Sequence, residues 1–99
     1  MVVVYKNKTL RKMCTDAAAA TRKYGPEMAA KIDQRIGELI AADNVEQMMR
    51  YHVGRCHSLV ADRSGQYALD LVGGMRMIFT PKNDNTVQIA LILDIKDYH

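Results

Sequence analysis

The sequence predicts an α+β fold, with an N-terminal strand and an α-helical hairpin packed on a mostly antiparallel β-sheet. Two spacings and two punctuation marks carry the prediction. From Thr9 to Ala42 apolar residues recur at helical intervals, and beyond Arg55 they alternate as in strands. Gly25-Pro26 and Gly73-Gly74 interrupt the two regimes where a helical and a β-hairpin turn are needed. At 99 residues the chain is the size of one domain with one core, so residues 1–99 are expected as a single unit.

Each element follows from its residues. Val2 to Lys6 is short and β-branched, hence a strand. Thr9 to Tyr24 places Leu10, Met13, Cys14, Ala17 and Thr21 on one helical face. Gly25 stops that helix and Pro26 starts the next, which runs to Ala42 with Met28, Ile32, Ile36, Leu39 and Ile40 as its buried stripe. Asp43 with Glu46 reads as a capped short helical turn carrying Val45, Met48 and Met49. Arg55 to Val60 is a strand, and 62–65 is a turn. Gln66 to Val72 alternates, with Tyr67, Leu69 and Leu71 on one face. After Gly73-Gly74, Met75 to Thr80 puts Met75, Met77 and Phe79 on the core face and Arg76 with Ile78 on the other. Lys82 to Asn85 turns the chain into a last apolar strand, Val87 to Ile95.

Composition narrows the function classes. Charge is mixed, with a net charge of +3. The apolar fraction is that of a globular protein, so disorder is not expected. Val2-Val3-Val4 is too short for a signal core or membrane span. Cys14 and Cys56 lack metal-ligand spacing and read as reduced thiols of a cytoplasmic protein, Cys14 in the core. A Cys56-His57 nucleophile lacks a supporting partner and is the minor reading. Through Arg35 the bases Lys6, Lys8, Arg11, Lys12, Arg22, Lys23, Lys31 and Arg35 face only Asp16, Glu27 and Asp33. That imbalance suits a polyanion or an acidic partner, or simply a solvated helix face.

The residues with chemistry gather late in the chain. The final strand leads to Asp97, Tyr98 and His99, a carboxylate, a phenol and an imidazole in succession. These are acid/base groups, and imidazole titrates nearest neutral pH. A solvated strand end is the plain alternative. Arg76 can serve either as a cation for substrate or as a structural ion-pair partner of Asp70.

Three blocks taken together are more specific than any one. They are Gly54-Arg55-Cys56-His57-Ser58-Leu59, then the run from Asp62-Arg63-Ser64-Gly65-Gln66-Tyr67 to Leu71, then Met75-Arg76-Met77-Ile78-Phe79 with Asp97-Tyr98-His99. This series resembles the HigB-like killer proteins of the RelE/ParE toxin superfamily, over nearly the whole chain. The resemblance implies the toxin of a type II toxin–antitoxin system, a ribosome-dependent endoribonuclease (mRNA interferase) that cuts translated mRNA. It implies a HigA-like helix-turn-helix antitoxin in a hetero-oligomeric complex, the ribosome and mRNA as further partners, no membrane, and no metal or organic cofactor. His57, Arg76, Asp97, Tyr98 and His99 take the catalytic positions by this resemblance, with Arg55 and Arg63 on phosphate. Arg76 would stabilise the phosphate, and His57 and His99 would serve as base and acid in an order left open.

RNA supplies its own nucleophile, the 2′-hydroxyl. The protein need only remove that proton, stabilise charge on the phosphate and protonate the leaving 5′-oxygen. The chain departs from the pattern at four places. Ser58 replaces the proline after the histidine, Val60 a lysine, Ala61 a glycine, and Met75 an aromatic residue. Many such proteins also carry a base near Asp70. Two alternatives therefore stand beside the nuclease, a ParE-like inhibitor of DNA gyrase and a catalytically weak scaffold that binds antitoxin and regulates its operon.

Overall fold

The structure is a computed structural model, and it describes residues 1–60 and 65–97. In chain order the elements are β1 (Val2–Tyr5), α1 (Lys8–Thr15), α2 (Ala17–Tyr24), α3 (Pro26–Ala41), α4 (Val45–Arg50), a 3₁₀ turn (Val53–Arg55), β2 (His57–Ser58), β3 (Tyr67–Asp70), β4 (Met75–Asp84) and β5 (Val87–Asp97). The five strands form one sheet in the order β1-β5-β4-β3-β2. β1 runs parallel to β5, and every other pair is antiparallel. The α+β architecture read from the sequence is the one observed.

The first predicted helix is in fact two. Asp16 breaks it in extended backbone (φ −119°, ψ 99°). Its backbone N–H closes α1 on Lys12 O, and its carboxylate accepts the Ala19 N–H at 3.1 Å to start α2. A short acceptor side chain competes with the helical ladder and favours this cap. The break shifts the buried face, so Leu10 and Cys14 are followed by Ala19 and Ala20, while Ala17 and Thr21 are exposed. Gly25 then sits at φ +90°, where a side chain would be strained, and Pro26 opens α3. α2 and α3 make the hairpin.

Other details of the elements differ from expectation. Ile40 is 58% exposed rather than buried, and Ala29 joins Met28, Ile32, Ile36 and Leu39 on the inner face of α3. The short helix is capped by Asn44, not Asp43. Asn44 Oδ1 accepts the Gln47 N–H at 2.8 Å, and Gln47 Oε1 accepts the Asp43 N–H at 2.9 Å. The strand expected from Arg55 to Val60 shrinks to His57–Ser58 behind the 3₁₀ turn. β4 runs on to Asp84, so the turn is only Asn85-Thr86, with Asn85 at φ +54°. Pro81 is tolerated in β4 because β3 pairs only with 76–79; beyond that, among the described residues, β4 bonds to β5 alone.

One sheet face carries Leu69, Met77, Phe79, Ala90 and Ile92 against Leu10, Cys14, Ile32, Ile36 and Leu39. Tyr67 and Phe79 stack at 5.9 Å between ring centroids. The N-terminal amine ties β1 to the end of α3, donating to Leu39 O and Ile40 O at 3.0 Å each and to Ala42 O. A cation there complements the helix dipole. A shift in the β4–β5 register at Ile78/Phe79 advances β5 by one residue. It brings Ile95 beside Met77, Lys96 beside Arg76 and Asp97 beside Met75.

Candidate functional site

The sheet face turned away from the helices holds the candidate site, and two registered rows build it. In the first, His57 of β2 pairs with Ala68 of β3, which pairs with Ile78 of β4. Ala68 and Ile78 are fully buried and give the row an apolar floor. In the second, Asp70 pairs with Arg76, which pairs with Lys96. Neighbouring rows on one face lie about 7 Å apart along the strands, so long side chains from both rows reach each other.

Asp70 is the hub. Arg55 donates to it twice, from Nε to Oδ2 at 2.5 Å and from Nη2 to Oδ1 at 3.0 Å. Arg76 Nε stands 3.4 Å from Oδ1. The hydrogen bonds from Arg55 hold the Asp70 carboxyl below the usual carboxylate range. Partial burial opposes them, and the charges of Arg55, Arg76 and His57 add to the downward shift. From the helix side, Arg35 Nε donates to Asp70 O at 2.7 Å while its Nη1 pairs with Glu38 at 2.7 Å.

The 3₁₀ turn positions Arg55 and His57. His52, Gly54 and Arg55 all adopt left-handed backbone, at φ 53°, 57° and 52°. Such conformations cost non-glycine residues free energy and cluster at functional sites. Gly54 permits the close pass over Arg35, since a Cβ at that position would lie 2.8 Å from Arg35 Nε. The Arg55 carbonyl lies 2.8 Å from His57 Nδ1. A carbonyl only accepts, so Nδ1 carries the proton, and in the neutral ring Nε2 keeps the lone pair.

Of the residues expected from sequence, the fold brings Arg55, His57 and Arg76 to one face. Asp97 shares its row with Met75, on the pleat opposite to Arg76. Arg63, Tyr98 and His99 lie outside the described residues, as does Ala61. Val60, where the resemblance expects lysine, is 80% exposed. Cys56 is buried, and burial pushes its thiol up to about 11, as it does for Cys14. A thiol so protonated is no nucleophile beside His57. Arg35, Gly54 and Lys96 were not foreseen as parts of the site. Among the described residues no group of three or more His, Cys, Asp or Glu is placed to hold a metal.

The groove between β1 and α1, lined by Val3, Val4, Tyr5, Asn7, Lys8 and Arg11, lies elsewhere on the surface. No described helix is long and apolar enough to cross a membrane.

No protein-family model matches the chain, and no curated protein matches it. Solved structures do. A YoeB/ParE toxin from Agrobacterium tumefaciens superposes at a TM-score of 0.62 with 14% identity, both chains covered in full. A chain of the YoeB–YefM complex from Staphylococcus aureus gives 0.62 and 14%, covering all of this chain and 97% of that one. The YoeB dimer from the same organism gives 0.55 and 14%, with 100% and 97% covered. Identity this low carries the architecture alone, and the chain has the RelE/ParE-like toxin fold seen in YoeB.

Proposed function

We propose that this chain is the toxin of a toxin–antitoxin pair, acts in the cytoplasm and cleaves translated mRNA without a metal. The observation that carries the reading is the meeting of His57, Arg55 and Arg76 on one sheet face, with His57 Nδ1 committed to a carbonyl. His57 Nε2 then takes the 2′-hydroxyl proton. That hydroxyl attacks the adjacent phosphorus, and a guanidinium neutralises the charge growing on the non-bridging oxygens. A proton donor releases the 5′-oxygen, leaving a 2′,3′-cyclic phosphate and a 5′-hydroxyl. β5 reaches the Arg76 end of the sheet at Lys96 and Asp97; of the residues that follow, His99 is assigned the donor and Tyr98 a base-stacking platform. Arg63 is assigned a phosphate contact, while Asp97, on the pleat opposite to Arg76, is left out of the catalytic set.

The sequence resemblance assigns the ribosome as the body that presents the mRNA. The solved YoeB–YefM complex supports an antitoxin partner, assigned by the sequence resemblance to the HigA-like helix-turn-helix type. A second reading, a scaffold that only binds antitoxin, is favoured by exposed Val60 in place of lysine. Induction of the chain without antitoxin separates the two. Arrested growth with fragmented mRNA, abolished in His57→Gln and Arg76→Ala, supports the nuclease. Normal growth with intact mRNA supports the scaffold. Arrest with intact mRNA and inhibited gyrase supports the ParE-like alternative.

A further inference from the structure

An acid at the centre of a phosphate site is unexpected, and Asp70 is one. Its carboxylate bridges two guanidiniums from different elements, Arg55 of the 3₁₀ turn and Arg76 of β4. Arg55 gives it Nε and Nη2 together, the side-on fork that would otherwise take two phosphate oxygens. Across the row stands a further cation, Lys96, in register with Arg76.

We infer that Asp70 is a built-in stand-in for the RNA phosphate, occupying the arginine faces that grip substrate until a backbone phosphate displaces it. The inference rests on the phosphate-site reading above. Two features make displacement feasible. The Asp70 main chain is pinned by Arg35, so the side chain can turn without moving β3. Its side chain keeps 31% exposure, so it swings into water and buries no charge. Exposed ion pairs are weak, so the latch holds against a stray phosphate but yields to one held at high effective concentration. Asp70 thereby sets selectivity for RNA presented by a larger body over free nucleotides and loose RNA.

The probe is a fluorescent hexanucleotide, 2′-O-methylated throughout so that it cannot be cleaved, titrated at a fixed salt of about 0.1 M. Asp70→Asn should bind it about fivefold more tightly than wild type, the upper end for an exposed ion pair released. Asp84→Asn removes the same charge at the far end of β4 and should change binding by less than about twofold, since screening confines charge effects to about 10 Å. Arg76→Ala should weaken binding. Equal affinities for Asp70→Asn and Asp84→Asn, with Arg76→Ala weakened, overturn the inference and leave the phosphate site standing. An Arg76→Ala that binds like wild type overturns both. Independently of any variant, the Asp70 carboxyl ¹³C resonance of the wild-type chain should move as the hexanucleotide saturates. A static resonance at saturation overturns the inference.

Discussion

Gly54→Ala should cost the fold about 2 kcal/mol, from two terms that the structure supplies and one that opposes them. Gly54 sits at φ +57°, and holding an L-residue there costs roughly 1–2 kcal/mol. The new methyl would lie 2.8 Å from Arg35 Nε and 3.0 Å from Cδ and Cζ, so the guanidinium must move. Arg35 is only 11% exposed and spends Nε on Asp70 O, so that movement forfeits a hydrogen bond worth about 1 kcal/mol. The stiffer unfolded chain returns about 0.4–1 kcal/mol. For a chain of this length a 2 kcal/mol loss lowers Tm by roughly 8–16 °C. Thermal and urea unfolding measure it, with Gly37→Ala as the paired control. Gly37 lies inside α3 with nothing within 4 Å of its would-be Cβ, so alanine there should stabilise by about 0.5–1 kcal/mol. A Gly54→Ala protein as stable as wild type would refute the left-handed turn and its packing on Arg35.

Three other outcomes follow from particular groups. Asp70 titrates lower in the fold than in the unfolded chain, so its ion pairs stabilise fully above the ordinary carboxyl range and are lost as pH falls through the depressed folded value. The stability gap between wild type and Asp70→Asn, followed by denaturant titration, should be complete at neutral pH and closed below both values. Cys14 and Cys56, buried with thiols near 11, should have only about a thousandth of their population as thiolate at pH 8. Native protein should then react slowly with a thiol reagent and unfolded protein promptly. Asp16→Ala removes the α2 cap and should cost about 1 kcal/mol by the same unfolding assays, with the Asp16→Asn variant nearly neutral.

Much of the site was legible because strand geometry is periodic. Alternation put Leu69 and Leu71 on one face with Met75 and Met77, which leaves Asp70 and Arg76 together on the other and centres the hairpin on Gly73. Alternation likewise put Arg76 opposite to Met77 and Phe79. Periodicity failed wherever a single residue reset the phase. Asp16 broke the first helix although the apolar spacing ran through it, because a cap outweighed continuity. The β5 register shift sent Asp97 to the Met75 row, and no run of apolar residues announces such a shift. Arg35 and Gly54 were invisible for a different reason. Their contact joins α3 to a turn nearly twenty positions on, and it rests on left-handed backbone that local sequence does not specify. Asp70 was visible as an ion-pair partner of Arg76 but not as a partner of Arg55.

The central claim is that the sheet face around His57 and Arg76 cuts mRNA on the ribosome through the RNA's own 2′-hydroxyl. The direct measurement is to add the purified chain to ribosomes translating a defined mRNA and to map both ends of each product. The account predicts ribosome-dependent cuts with a 2′,3′-cyclic phosphate and a 5′-hydroxyl, slowed by about two to four orders of magnitude in His57→Gln. Intact mRNA under those conditions, products bearing 5′-phosphates, or cleavage at the full rate by the His57→Gln chain would contradict it.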